Sequence, residues 1–95
     1  MSNVNFAPDG ILDTAIYTGE EARQLLNNPT LLKALDEIEQ TATNEMVEAL
    51  NPDVREQKWH LTRAVRELKK KLLAIQNAGT AAETIKSKRA KNGQK

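Results

Sequence analysis

His60 is the only histidine of this 95-residue chain. One histidine makes no His-x-x-x-His metal pair and no catalytic triad. On a helix it falls beside Leu61, on the solvent-facing flank, and reads as a surface residue. Asp36, Glu37 and Glu39 are the next candidates, as a metal or acid–base cluster. Carboxylate-bridged metal centres in helical bundles need Glu-x-x-His pairs on facing helices, and none is present. A solvated helix flank is the plainer reading of these three. The chain has no Gly-rich phosphate loop, no Gly-x-Ser-x-Gly and no Lys-Ser/Thr after a glycine loop. It also has no cysteine, which excludes disulfides and thiolate metal sites. The chain reads as a non-enzyme with no cofactor.

Trp59 is the more informative side chain. At helical spacing it points away from the apolar series Leu61, Val65, Leu68, Leu72 and Ile75. Arg66 and Leu73 follow it at seven-residue intervals, and Arg55, Arg63 and Lys70 lie near the same face. In the plain reading Trp59 covers a small cluster made by Leu25, Leu26 or the N-terminal arm. In the functional reading Trp59, Arg55, Arg66 and Leu73 form a partner interface, where Trp and Arg are typical anchors. A third reading stacks Trp59 on a base while the basic residues hold phosphates. Lys86, Lys88, Arg89 and Lys91 form a separate basic run, with Glu83 as its only acidic neighbour in sequence. They are candidate contacts to nucleic acid or an acidic partner.

These residues sit on elements of opposite charge. Residues 1–53 carry ten acidic and two basic side chains, a balance of −8. Residues 54–95 carry twelve basic and three acidic, a balance of +9. The net charge of +1 conceals the split and argues against a dedicated DNA-binding domain. The N-terminus lacks the basic start and apolar block of a signal peptide. No stretch approaches the roughly 20 apolar residues of a membrane span. The expected setting is a cytoplasm or an assembly built there.

Residues 1–17 show no helical period, and Pro8-Asp9-Gly10 signals a turn. This stretch reads as an extended N-terminal arm or a disordered terminus. Thr18-Gly19-Glu20-Glu21 fits a capping box opening a short helix over about 19–27. Asn28 and Pro29 cap and start a second helix running to about Leu50. Its apolar stripe is Leu31, Leu35, Ile38, Ala42, Met46 and Ala49. Asn51, Pro52 and Asp53 repeat the grammar for a third helix, which is expected to reach about Asn77 and end at Gly79. Its series from Leu61 to Ile75 has the 3.5-residue repeat of a coiled-coil seam, with Lys58 loosening it near the turn. The expected fold is all-α: an antiparallel helical hairpin of two long helices over residues 18–79, with a short preceding helix and flexible terminal arms. Residues 80–95 form a basic tail, which Thr80-Ala81-Ala82-Glu83 could open as a short helix.

Ala22-Arg23-Gln24-Leu25-Leu26-Asn27-Asn28-Pro29, then Leu35-Asp36, then Val54-Arg55-Glu56-Gln57-Lys58-Trp59 and Gly79, resemble small helical proteins encoded among the particle-assembly genes of tailed bacteriophages and prophages. The resemblance covers about 60% of the chain, from Glu21 to Gly79. It implies a viral setting, in the virion or the host cytoplasm, and a structural or assembly role. The partner would be another copy of the chain, as a homo-oligomer, or another phage particle protein, with no membrane and no small-molecule substrate. Two other roles compete. One is a nucleic-acid-binding accessory such as a small DNA-packaging (terminase) subunit, resting on the basic C-terminal part. The other is a small inhibitor of a host protein that uses the acidic part as a nucleic-acid mimic. Leu68, in mid-seam, is expected to be buried, so that Leu68→Ala would cost on the order of 2–4 kcal/mol.

Overall fold

The computed structural model describes residues 8–92. They form three helices, α1 (Asp9–Leu26), α2 (Pro29–Glu48) and α3 (Pro52–Asn92), with no strand among the described residues. The all-α architecture expected from the sequence, two long helices after a shorter one, is the one observed. The chain divides into two compact units. One is Leu25–Lys71, which holds α2 and the first part of α3. The other joins the segment up to Gln24 to the segment from Leu72, so α1 meets the last part of α3.

In the unit Leu25–Lys71 the caps are where the sequence places them. Asn28 Oδ1 accepts hydrogen bonds from the amides of Thr30 and Leu31, at 3.0 and 3.1 Å, ahead of Pro29. These amides have no partner inside the helix, so the side chain satisfies donors that would otherwise need water. Asn51 Oδ1 accepts from the Asp53 amide at 2.8 Å and opens α3 in the same way. The Arg55 guanidinium donates to the Ala49 carbonyl at 3.1 Å and ties the end of α2 to the start of α3. The connection is short, so the two helices run antiparallel. Their ion pairs confirm the register: Glu45 with Lys58, Glu39 with Arg66, Asp36 with Lys69.

On α2 the buried stripe follows the apolar spacing except at Ile38, which is exposed; on α3 it does not. α2 buries Leu35 and Ala42, and α3 buries Thr62 and Val65. Glu39, Met46 and Ala49 on α2, and Lys58 and Lys69 on α3, are half-buried along the same lines. The seam is therefore Lys58-Thr62-Val65-Lys69, one step around the helix from Leu61-Val65-Leu68. Leu68 is 48% exposed, Leu61 42% and Ile38 44%. The reason lies in the charges. Lys58 and Lys69 meet Glu45, Asp36 and Glu39 only when this stripe faces α2. The Thr62 hydroxyl donates to the Lys58 carbonyl at 2.9 Å, so its burial leaves no orphaned donor.

In the second unit the helices begin and end elsewhere than the sequence suggests. Residues 9–17 are helical, not extended: the Pro8 carbonyl accepts from the Ile11 and Leu12 amides at 3.0 and 3.2 Å, and Asp9 lies in the first turn. The part of the expected arm before Pro8 lies outside the described residues. Thr18 does not cap a helix, because its hydroxyl donates to the Thr14 carbonyl at 2.9 Å in mid-helix. Gly79 does not end α3, and no glycine among the described residues has positive φ. Thr80 likewise donates to the Gln76 carbonyl at 3.3 Å inside the continuing helix. Residues 80–92 extend α3 as one helix with what precedes them.

Small residues explain both surprises. The buried positions of α1 are Leu12, Gly19 and Ala22, with Ala15, Ile16 and Leu26 half-buried. Their spacing is helical, but glycine carries no apolar signal and alanine only a weak one. Gly79 and Ala82 are their counterparts on α3. The two backbones touch at the glycines. A methyl built on Gly19 would stand 2.8 Å from Gly79 Cα, and one on Gly79 would stand 2.9 Å from the Ala15 carbonyl oxygen. Such contacts lie well inside van der Waals separation, and the opposing atoms are backbone that cannot rotate away. Lys86 pairs with Asp13, and Arg89 with Asp9 at 3.1 Å, so the antiparallel register is fixed at the far end as well.

Two stability experiments follow from this packing. Gly79→Ala is expected to lower stability by about 1–3 kcal/mol through overpacking, although alanine is the better helix former by about 1 kcal/mol. Gly10→Ala, which meets nothing within 4 Å, is expected to be neutral or to stabilise by up to about 1 kcal/mol. Urea unfolding of both variants checks the contrast; a stabilised Gly79→Ala protein would mean the backbones do not touch. Leu35→Ala is expected to cost about 2–4 kcal/mol, against less than about 1 kcal/mol for Leu68→Ala in the isolated chain. The value expected for Leu68 from the sequence is corrected accordingly.

Candidate protein-interaction surfaces

Within the unit Leu25–Lys71 the seam leaves one surface on either side. Trp59 stands on the first, 46% exposed. The His60 ring meets it edge-on at 5.0 Å between centroids, and the Arg63 guanidinium carbon lies 5.5 Å from its ring centre. That placement suits a cation over an aromatic face and leaves an apolar, cationic patch open to solvent. Trp59 lines one groove with Thr43, Met46, Arg63, Arg66 and Lys70, and a shallower pocket with Met46, Pro52 and Arg55. It lies against the end of α2 and the α2–α3 turn, not over Leu25 and Leu26.

The proposed anchors divide accordingly. Trp59, Arg55 and Arg66 belong to this surface, while Leu73 is exposed in the other unit. Two of the three are already engaged within the chain. Arg55 holds the Ala49 carbonyl, and Arg66 Nε donates to Glu39 Oε2 at 3.1 Å. Asp36 and Glu39, read from sequence with Glu37 as a solvated helix flank, are the acceptors for Lys69 and Arg66. No group of three or more His, Cys, Asp or Glu side chains among the described residues could hold a metal ion. No helix among them is long and apolar enough to cross a membrane. His60 is exposed beside Glu56, with Nε2 3.6 Å from the carboxylate.

The second surface did not stand out in the sequence. Ile38 on α2 and Leu61 on α3 border an open groove of about 380 Å³ whose floor and walls include Ala34, Thr41 and Ala42. Leu68 lies two turns along α3 from Leu61, at seven-residue spacing on the same helix face. The signal was present, since Leu61 and Leu68 were placed in the seam. Ambiguity between two adjacent stripes hid which one faces α2.

The basic run of α3 is tied to α1 in the other unit. Lys86 donates to Asp13 and Arg89 to Asp9, so two of the four candidate nucleic-acid contacts face carboxylates of the same chain. Lys88 and Lys91 are exposed. The acidic neighbours that the sequence appeared to lack are 73 and 80 residues away along the chain.

The fold and its surfaces define a class: an all-α protein whose helices are paired by opposite charges. No protein-family model, no curated protein and no solved structure matches the chain.

Its ion pairs make a prediction about pH. Hydrogen bonding to Asp36 raises the Lys69 ammonium above the ordinary lysine value, and hydrogen bonding to Asp13 does the same for Lys86. A raised value in the folded state adds stability in full below about pH 10.4, the value of an unfolded lysine, and loses it as pH climbs through the folded value. The thermal midpoint is expected to fall on the alkaline side, and to fall less steeply in the Lys69→Met, Lys86→Met double variant. Thermal melts between pH 8 and pH 12 test it; identical alkaline slopes would show that these pairs do not govern the decline. Glu20 moves the other way, because the Arg23 guanidinium holds it below the usual carboxylate range, so its contribution is lost on acidification.

Proposed function

We propose that this chain is a non-enzymatic assembly protein that acts through helix-mediated protein contacts, as a virion subunit or adaptor of a tailed-phage particle. The observation that carries the reading is the apolar surface left open after folding. The core of Leu12, Ala22, Leu35, Ala42, Val65 and Ala82 is thin, while Ile38, Trp59, Leu61 and Leu68 remain at the surface of one small unit. Large apolar side chains exposed together favour burial against protein. The phage setting is supported by the resemblance of Ala22–Pro29 and Val54–Trp59 to particle-assembly proteins.

A second reading, a nucleic-acid accessory, draws support from Trp59 with Arg63 and Lys70 on one surface. It is weakened by the pairing of Lys86, Arg89, Arg66 and Lys69 with carboxylates, since phosphates would have to displace those acids.

The chain is expected to remain with gradient-purified particles of the phage that encodes it, in reproducible copy number. Trp59→Ala is expected to reduce that retention at least about tenfold without loss of helical circular dichroism. A chain absent from washed particles would overturn the assembly reading. Salt-sensitive retardation of duplex DNA at low ionic strength would favour the second.

A further inference from the structure

α3 presents its less apolar stripe to α2. The stripe that faces α2 is Lys58, Thr62, Val65 and Lys69, and the adjacent stripe left outside holds Leu61 and Leu68. A helix in a finished structure buries its most apolar stripe. Here that stripe remains exposed, beside Ile38 of α2. Leu61, Val65 and Leu68 also keep the alternating four- and three-residue spacing of a helix-packing seam. Of these three, Val65 is used inside the chain, and Leu61 and Leu68 are not.

We propose that the Ile38–Leu61–Leu68 surface is covered by the same surface of a second copy of this chain, so that two hairpins form an antiparallel four-helix arrangement. This rests on the assembly reading above and names the partner and the face. Two features select a second copy.

The first is shape. The surface carries three large side chains and, beside Ile38 and Leu61, a groove of small ones, Ala34, Thr41 and Ala42. A two-fold interface brings a surface against itself, so it needs protrusions and hollows on one face. The second is charge. α2 carries five acidic and one basic side chain, a balance of −4. Residues 52–71 of α3 carry seven basic and three acidic, a balance of +4. A second hairpin turned about a two-fold axis parallel to the helices sets its α3 beside this α2 and its α2 beside this α3, whereas a perpendicular axis would set α2 on α2. With the parallel axis both contacts are between opposite charges, whereas α2 against α2 would be repulsive. Glu45 is already paired with Lys58 inside the hairpin, so the exposed Glu37 at the groove and Lys71, three residues beyond Leu68, are the charges that lie where the two copies would meet.

The test is the solution mass of the full chain with two sets of variants. Sedimentation equilibrium is expected to give twice the chain mass of 10.6 kDa, and to keep it in high salt because leucine and isoleucine supply the attraction. Leu61→Ser with Leu68→Ser is expected to weaken self-association about 100-fold or more while helical circular dichroism is kept, since both positions are exposed in the single chain. The chain has no cysteine, so single replacements report cleanly. Leu61→Cys is expected to form an intermolecular disulfide on mild oxidation, and Val47→Cys, exposed away from this surface, is expected not to. A monomer at all concentrations overturns the proposal, as does a dimer unchanged by the double serine variant. Neither result touches the assembly reading, which is judged by retention on particles and would then assign this face to a different protein.

Discussion

Among the described residues, the ion pairs between helices join acids of α1 and α2 to bases of α3. Glu45, Glu39 and Asp36 face Lys58, Arg66 and Lys69; Asp13 and Asp9 face Lys86 and Arg89. Individually such pairs on a protein surface contribute little to stability. Their effect is selective. They fix which helix lies beside which, in which direction and at which rotation. The rotation has the largest consequence, because bringing Lys58 and Lys69 to the seam turns Leu61 and Leu68 out of it.

The thin core follows from the same arrangement. Where lysine and threonine take seam positions, few large apolar side chains remain to meet one another. In Leu25–Lys71 burial falls to Leu35, Ala42, Thr62 and Val65; in the other unit it falls to Leu12, Ala22 and Ala82 with two glycines. A small chain has limited area to bury in any case, and association is a common way to add to it. The exposed apolar surfaces and the marginal core are two sides of one choice of rotation.

The parts of this fold that depend on local chemistry were legible in the sequence. Asn28-Pro29 and Asn51-Pro52 each combine a capping side chain with a residue that needs no amide partner, and each starts a helix as read. The opposed charges of the two halves were legible too, and they do pair. What could not be read was carried by residues without a distinctive side chain. Ala15, Gly19, Ala22, Gly79 and Ala82 line one interhelical contact, yet to an apolar-pattern reading they look like an arm, a cap and a terminator. Gly79 is as compatible with a left-handed helix end as with a backbone crossing, and only the opposing Gly19 decides between them. The rotation of α3 was ambiguous for a related reason. Two neighbouring stripes share Val65, and hydropathy favours the one that the ion pairs do not choose. Among candidate site residues, Trp59 is exposed, whereas Lys86 and Arg89 have partners that sequence distance concealed.

The contact between Gly19 and Gly79 bears on how this sequence can drift. At most tight packing sites a larger residue on one side can be accommodated by a smaller one opposite, so pairs of positions exchange volume over time. Here both positions already hold the smallest residue. Neither can give way to the other, and the opposing atoms are main chain. The pair cannot trade volume; a change at either would have to be answered by the helices moving apart, which would also separate Asp13 from Lys86 and Asp9 from Arg89.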